Sequence, residues 1–143
     1  MSDYLQNIWH KIHGESGSVM PLDINLLVGK NASNNWEIYK LSNLGLGSVA
    51  ENTSQVNPAR GNQIDTIFHL DKFPSPYVII NKPIEELSTE LIIFAATVCK
   101  SKSKYKNVPN IGVLYTPISN TIIGDKVGSF IIVSNRKKHV IHI

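Results

Sequence analysis

The sequence predicts an α+β domain: an antiparallel-rich sheet of about six strands, one main helix over about residues 86–101 packed on it, and a short N-terminal helix. Three observations carry this prediction. Short runs of β-branched and aromatic residues recur from residue 22 onward, each bounded by Gly, Pro, Asn or Ser. In that same region one stretch, Leu91 to Cys99, places Leu91, Phe94, Ala95, Val98 and Cys99 on a common helical face. The chain is also 143 residues long, which suits one domain, and a chain of this size buries roughly 68–70% of its unfolded surface without needing staples.

Composition narrows the class. Hydrophobic content of 42% and charged content of 17% fit a folded globular protein, and the net charge is +3 with a pI near 9.0. An excess this small makes the placement of the positive charge more informative than its total. The single cysteine, Cys99, excludes an internal disulfide and suits a reducing compartment. No apolar run reaches membrane-spanning length, and the N-terminus lacks the apolar centre of a secretory signal. The expectation is a soluble, cytoplasmic protein with no membrane association.

Residues 1–20 form an accessory segment in which Tyr4, Leu5, Ile8, Trp9 and Ile12 make an apolar helical stripe, to be packed on the domain or on a partner. His10 and His13 have metal-ligand spacing but no third ligand nearby. Residues 22–41 read as a hairpin: a strand from Leu22 to Val28, a turn-rich loop from Gly29 to Asn35, and a second strand from Trp36 to Leu41. Gly29 permits a positive φ, the Asn side chains can tie the loop together or face a ligand, and Lys30 is the exposed candidate for a phosphate contact. Residues 42–64 lack apolar periodicity and read as a long inserted loop ending near Arg60.

The densest stretch follows. Phe68, Leu70 and Tyr77 to Ile80 supply core side chains on two strands around the corner Pro74-Ser75-Pro76. The two prolines fix their own φ and push Phe73 and Ser75 toward extended geometry. His69, Asp71 and Ser75 are polar groups that such a strand pair has no packing reason to carry, so the corner is a structural clamp or a binding edge. Ser88 then caps the main helix, on which Cys99 falls on the apolar side as an inert thiol. That helix runs out into Lys100, Lys102, Lys104 and Lys106, with Tyr105 among them, which suits both a helix C-terminus and a phosphate-binding patch with a stacking aromatic. Residues 107–143 are β-rich, with strands over Ile111 to Thr116, Gly128 to Val133 and His139 to Ile143, the last two joined as a hairpin through Ser134 to Lys138.

No phosphate-binding loop, dinucleotide fingerprint, zinc-protease pattern or nucleophile elbow occurs. His69 and Asp71 share a strand face and could do acid–base work, but no nucleophile is placed beside them. The expectation is a non-catalytic protein with no metal and no cofactor.

Three separated segments carry a family resemblance. Phe68, His69, Asp71, Pro74 and Val78 to Ile80 resemble the motif of the NFACT-R domain, a Trp-Phe-His segment with an acid, then Pro-Gly-Ser-His and a β-branched run; Ile67 stands for the Trp and Ser75-Pro76-Tyr77 for the Gly-Ser-His. Gly29, Lys30, Asn31 and Asn35 match the opening loop, with Trp36 in place of its acid. Gly124 to Ile131 fits the last segment, with Lys126 retained and Val127 where Pro is usual. The segments occur in order, and the resemblance covers residues 22 to 143, giving an NFACT-R-like domain over 21–143 that carries the 42–64 insertion. It implies an RNA-associated, non-catalytic module related to translation and ribosome-associated quality control, with RNA (tRNA or rRNA) or the ribosome as partner. The N-terminal domain, helix-hairpin-helix module and coiled coil of the larger family members have no counterpart in these 143 residues, so tRNA recruitment and tail elongation are not expected of them. The candidate RNA-binding residues are Lys30, Asn31, Asn35, His69, Ser75, Lys100, Lys102, Lys104, Lys106 and Lys126. The alternatives are a protein-interaction adaptor using the N-terminal helix and the 42–64 loop, and a small enzyme built on His69 and Asp71.

Overall fold

Buried apolar side chains line both faces of the two central strands, and the rest of the fold is arranged to cover them. The structure, a computed structural model, describes residues 3–13, 24–43 and 65–143. The helices are α1 (Asp3–His13), α2 (Ala32–Asn43) and α3 (Thr89–Ser101). The strands are β1 (Leu26–Val28), β2 (Thr66–Leu70), β3 (Val78–Ile80), β4 (Gly112–Pro117), β5 (Thr121–Ile123), β6 (Phe130–Ile132) and β7 (His139–His142). Five strands form an antiparallel sheet in the order β1-β3-β2-β4-β7, and β5 pairs with β6 in a separate hairpin. The architecture is α+β as expected, with seven strands among the described residues, close to the six or so expected.

On one face of the sheet, Phe68, Leu70, Val78 and Ile80 pack with Phe94, Ala95 and Val98 of α3. Ala95 and Ala96 are fully buried and let the helix lie close to the strands. Ser88 accepts the Leu91 amide at 3.2 Å and caps α3, as the sequence predicts. Against α3 lies α1, with Trp9 meeting Phe94 edge to face at 5.3 Å between ring centroids. On the other face, Ile67, Tyr77 and Ile79 meet Ile38 and Tyr39 of α2 and Ile118. Two-sided burial explains why β2 and β3 read as nearly continuous apolar runs rather than alternating ones.

Two expectations fail. Residues 32–43 form a helix, so the Trp36–Leu41 strand and its hairpin with 22–28 do not exist. Asn31 is an N-cap: its side-chain oxygen accepts the Asn34 amide at 2.9 Å, and Asn34 returns the interaction by accepting the Lys30 amide at 2.9 Å. The residues it buries, Asn35, Ile38, Tyr39 and Ser42, are spaced i, i+3, i+4, i+7, but two of the four are polar, which hides the pattern.

The hairpin expected between residues 128–133 and 139–143 is also absent. Asn120 holds the Ser134 backbone by accepting its amide and donating to its carbonyl, each at 2.9 Å. A 3-10 turn over Asn135–Lys137 follows, and β7 pairs with β4 instead. Of the 42–64 insertion, the first two residues complete α2; residues 44–64, Arg60 among them, lie outside the described residues. Among the described residues, no helix is long and apolar enough to cross a membrane.

Candidate functional site

Where β1 ends and β2 passes into β3, a cleft of about 1200 Å³ opens at one end of the sheet. It is walled by the β1–α2 loop, the 69–76 corner, the turn after α3 and the β5–β6 hairpin, with Tyr4 and Leu5 of α1 at its side. Of the residues singled out in the sequence, Lys30, Asn31, Asn35, His69, Ser75, Lys102, Lys104 and Lys126 line it. Lys100 does not: its ammonium donates to the Ile143 carbonyl at 2.8 Å, tying the end of α3 to the last residue of β7's segment. Lys106 is exposed and lies outside the cleft.

The corner is built by side chains that substitute for backbone. The Gly29 amide donates to the Tyr77 carbonyl at 2.9 Å, one step beyond the Val28–Val78 pair of the β1–β3 ladder. There the chain turns into α2, and Asn35 takes over: its oxygen accepts the Tyr77 amide at 3.0 Å and its Nδ2 donates to the Ser75 carbonyl at 3.3 Å. A Cβ on Gly29 would collide with Asn35 Oδ1, so this glycine is required for close approach. Its φ is not positive; among the described residues the positive-φ glycine is Gly128, at 82°. Gly128 lies against Ala32 at the start of α2, and Trp36 Nε1 donates to the Ser129 carbonyl at 2.9 Å. The hairpin turn carrying Lys126 is thereby docked beside Lys30 and Asn31.

Ser75 is equally committed. Its hydroxyl accepts the Leu70 amide and donates to the Pro76 carbonyl, each at 3.0 Å, and lies 3.6 Å from the Cys99 sulfur. Burial pushes the Cys99 thiol up to about 12, so it stays protonated and inert. Asn35 and Ser75 therefore hold the corner together, whereas the sequence left open whether they face a ligand.

His69 lies on the α2 side of the sheet with its ring edge-on to Tyr77 and Phe130, at 5.7 Å from each. Its Nδ1 donates to the Leu70 carbonyl at 2.7 Å, not to Asp71. Burial holds the imidazole below its ordinary value, so the ring is neutral near pH 7 and its Nε2 is a hydrogen-bond acceptor.

The charge of the cleft is one-sided. Among the described residues, Lys30, Lys72, Lys102, Lys104 and Lys126 line it, against one acid, Asp71. Lys102 also sits 4.0 Å above the Tyr4 ring, a cation–π contact that fixes α1 at the cleft wall, beside a hydrogen bond from Tyr4 to Ser101. The sequence reading missed Lys72 and Phe73, although both flank the Pro-Ser-Pro corner; Phe73 is 39% exposed and lines the cleft. Among the described residues, no group of three or more His, Cys, Asp or Glu side chains is placed to hold a metal.

No protein-family model matches the chain, and no curated protein does. Among solved structures, it is similar to the C-terminal part of the fibronectin/fibrinogen-binding protein from Streptococcus suis, with a TM-score of 0.61 and 18% identity. That match covers 92% of this chain and 48% of the other, so this chain spans about half the length of its structural neighbour. At this identity the likeness is one of fold: an α+β domain whose architecture recurs within a longer protein.

Proposed function

We propose that this chain is a non-catalytic RNA- or ribosome-binding module of the NFACT-R type, cytoplasmic, and related to translation and ribosome-associated quality control. One observation carries the reading: among the described residues, five lysines converge on a cleft that has one acid. A lysine-lined cleft focuses positive potential and suits a phosphate backbone. Its volume of about 1200 Å³ exceeds the roughly 300–1,000 Å³ of small-molecule sites, which favours a polymer. On this reading His69 serves the corner, its Nδ1 being bonded to the Leu70 carbonyl and not to Asp71.

Of the adaptor surface, the apolar side of α1 is buried against α3, and residues 44–64 of the loop lie outside the described residues; the exposed Ile122 and Ile131 of the β5–β6 hairpin, with Val133 just after it, add a protein-facing candidate. The structural similarity to a fibronectin/fibrinogen-binding protein keeps a protein partner in view.

Salt dependence separates the two. RNA affinity should fall steeply with salt, and Lys30, Lys72, Lys104 and Lys126 changed together to Gln should flatten that slope by nearly one unit per lost phosphate contact. A chain that binds no RNA at low salt would refute the RNA reading.

A further inference from the structure

We infer that the cleft takes an unpaired nucleotide, its base stacked on Phe73 and the adjoining phosphates held by Lys72 and Lys104. The inference rests on the RNA-binding reading and names the form of RNA that the site selects.

Phe73 is an aromatic side chain that the core does not need. It is 39% exposed and belongs to neither buried cluster, yet it is held in place from two directions. Pro74 restricts its backbone to extended geometry. Tyr105 covers its ring at 4.5 Å between centroids with a 34° tilt. Tyr105 is itself anchored: its amide donates to Ser103 Oγ at 3.0 Å, its carbonyl accepts the Val108 amide at 3.0 Å, and its ring packs on the main core. Tyr105 does not line the cleft and Phe73 does, so Tyr105 is the backing and Phe73 the platform. This reverses the sequence assignment, which gave the stacking role to Tyr105.

Charge lies in the same cleft as the platform. Lys72 precedes Phe73 and Lys104 precedes Tyr105, both are exposed, and both line the cleft. An exposed aromatic face sharing one cleft with two exposed lysines suits a base and its adjoining phosphates. In a duplex each base face is already covered by its neighbours, so only an unpaired base can use such a platform. Stacking tolerates any base, so the expected selectivity is for strandedness and not for sequence.

The test titrates labelled oligouridylate and an RNA duplex of equal length against the unaltered chain and against Phe73→Leu and Phe73→Tyr. The unaltered chain should prefer the single strand. Phe73→Leu should weaken single-strand binding about five- to hundredfold while duplex binding stays within twofold, and Phe73→Tyr should retain the preference. Equal losses on both RNAs, or none, would overturn the platform while leaving RNA binding in place. Binding of neither RNA by the unaltered chain would refute the RNA reading itself. If Phe73→Leu does not fold, photo-cross-linking of thiouridine-substituted oligouridylate to the unaltered chain decides: an adduct at Phe73 supports the inference, and adducts confined to residues outside the cleft overturn it.

Discussion

Asn35 Oδ1 accepts the Tyr77 amide at 3.0 Å while Asn35 Nδ2 reaches the Ser75 carbonyl, so one side chain prolongs the β1–β3 ladder after the β1 backbone has turned away. The Tyr77 residue is fully buried, and its amide has no water to fall back on. Asn35→Ala should therefore destabilise the fold by about 1–3 kcal/mol, read as a shift in the midpoint of chemical denaturation. Gly29→Ala should destabilise similarly, because its methyl group must displace the Asn35 amide. An Asn35→Ala chain of unchanged stability that had lost RNA affinity would make Asn35 a ligand residue instead.

The lysines divide by position rather than by sequence. Lys30, Lys72, Lys104 and Lys126, changed singly to Gln, should each reduce the salt slope of RNA binding by about 0.7–0.9, whereas Lys100→Gln and Lys106→Gln should leave it unchanged. Lys100→Gln should instead lose some stability, because its ammonium holds the Ile143 carbonyl. Equal slopes for all six variants would show that binding is diffuse and not seated in the cleft.

His69 gives the fold a pH dependence. Burial holds its imidazole below the ordinary 6.5. Between the folded value and 6.5 the unfolded chain binds more protons, so stability rises with pH there and is lost as pH falls below about 6.5. His69→Gln should flatten the difference between midpoints measured at neutral pH and at mildly acidic pH. An identical pH dependence in the variant would assign the effect to another histidine.

Cys99 should resist thiol reagents at neutral pH, since its sulfur is fully buried and its thiol is pushed up to about 12. Labelling should proceed only as fast as the protein opens, and should accelerate with denaturant in step with unfolding. Rapid native-state labelling would contradict the packing of the Ser75–Cys99 corner.

What was legible in the sequence follows from how local each feature is. The cap at Ser88, the buried face of α3 and the two strands around Pro74-Ser75-Pro76 depend on neighbours within a few residues. Helix α2 was hidden because half of its buried positions are the polar Asn35 and Ser42, whose partners, Tyr77 and Asp65, are distant in sequence. The pairing of β7 with β4 depends on Asn120 seizing Ser134, a contact that no periodicity reports. The cleft was legible as a set of residues but not as a division of labour. Lys30, Lys102, Lys104 and Lys126 do converge, whereas Asn35 and Ser75 serve the corner, and Phe73 went unread because its exposure depends on where Tyr105 lies.

Helix α1 has a practical bearing on how this protein is cut and expressed. A boundary drawn near residue 21, where the sequence reading divides an accessory helix from a domain, would remove Ile8 and Trp9 from the main core and strip the cover from Phe94. It would also take Tyr4 away from Lys102, so the shortened chain would present a greasy helix face and a breached cleft wall at once. Any fragment meant to keep the core covered and the cleft wall whole has to begin ahead of Tyr4.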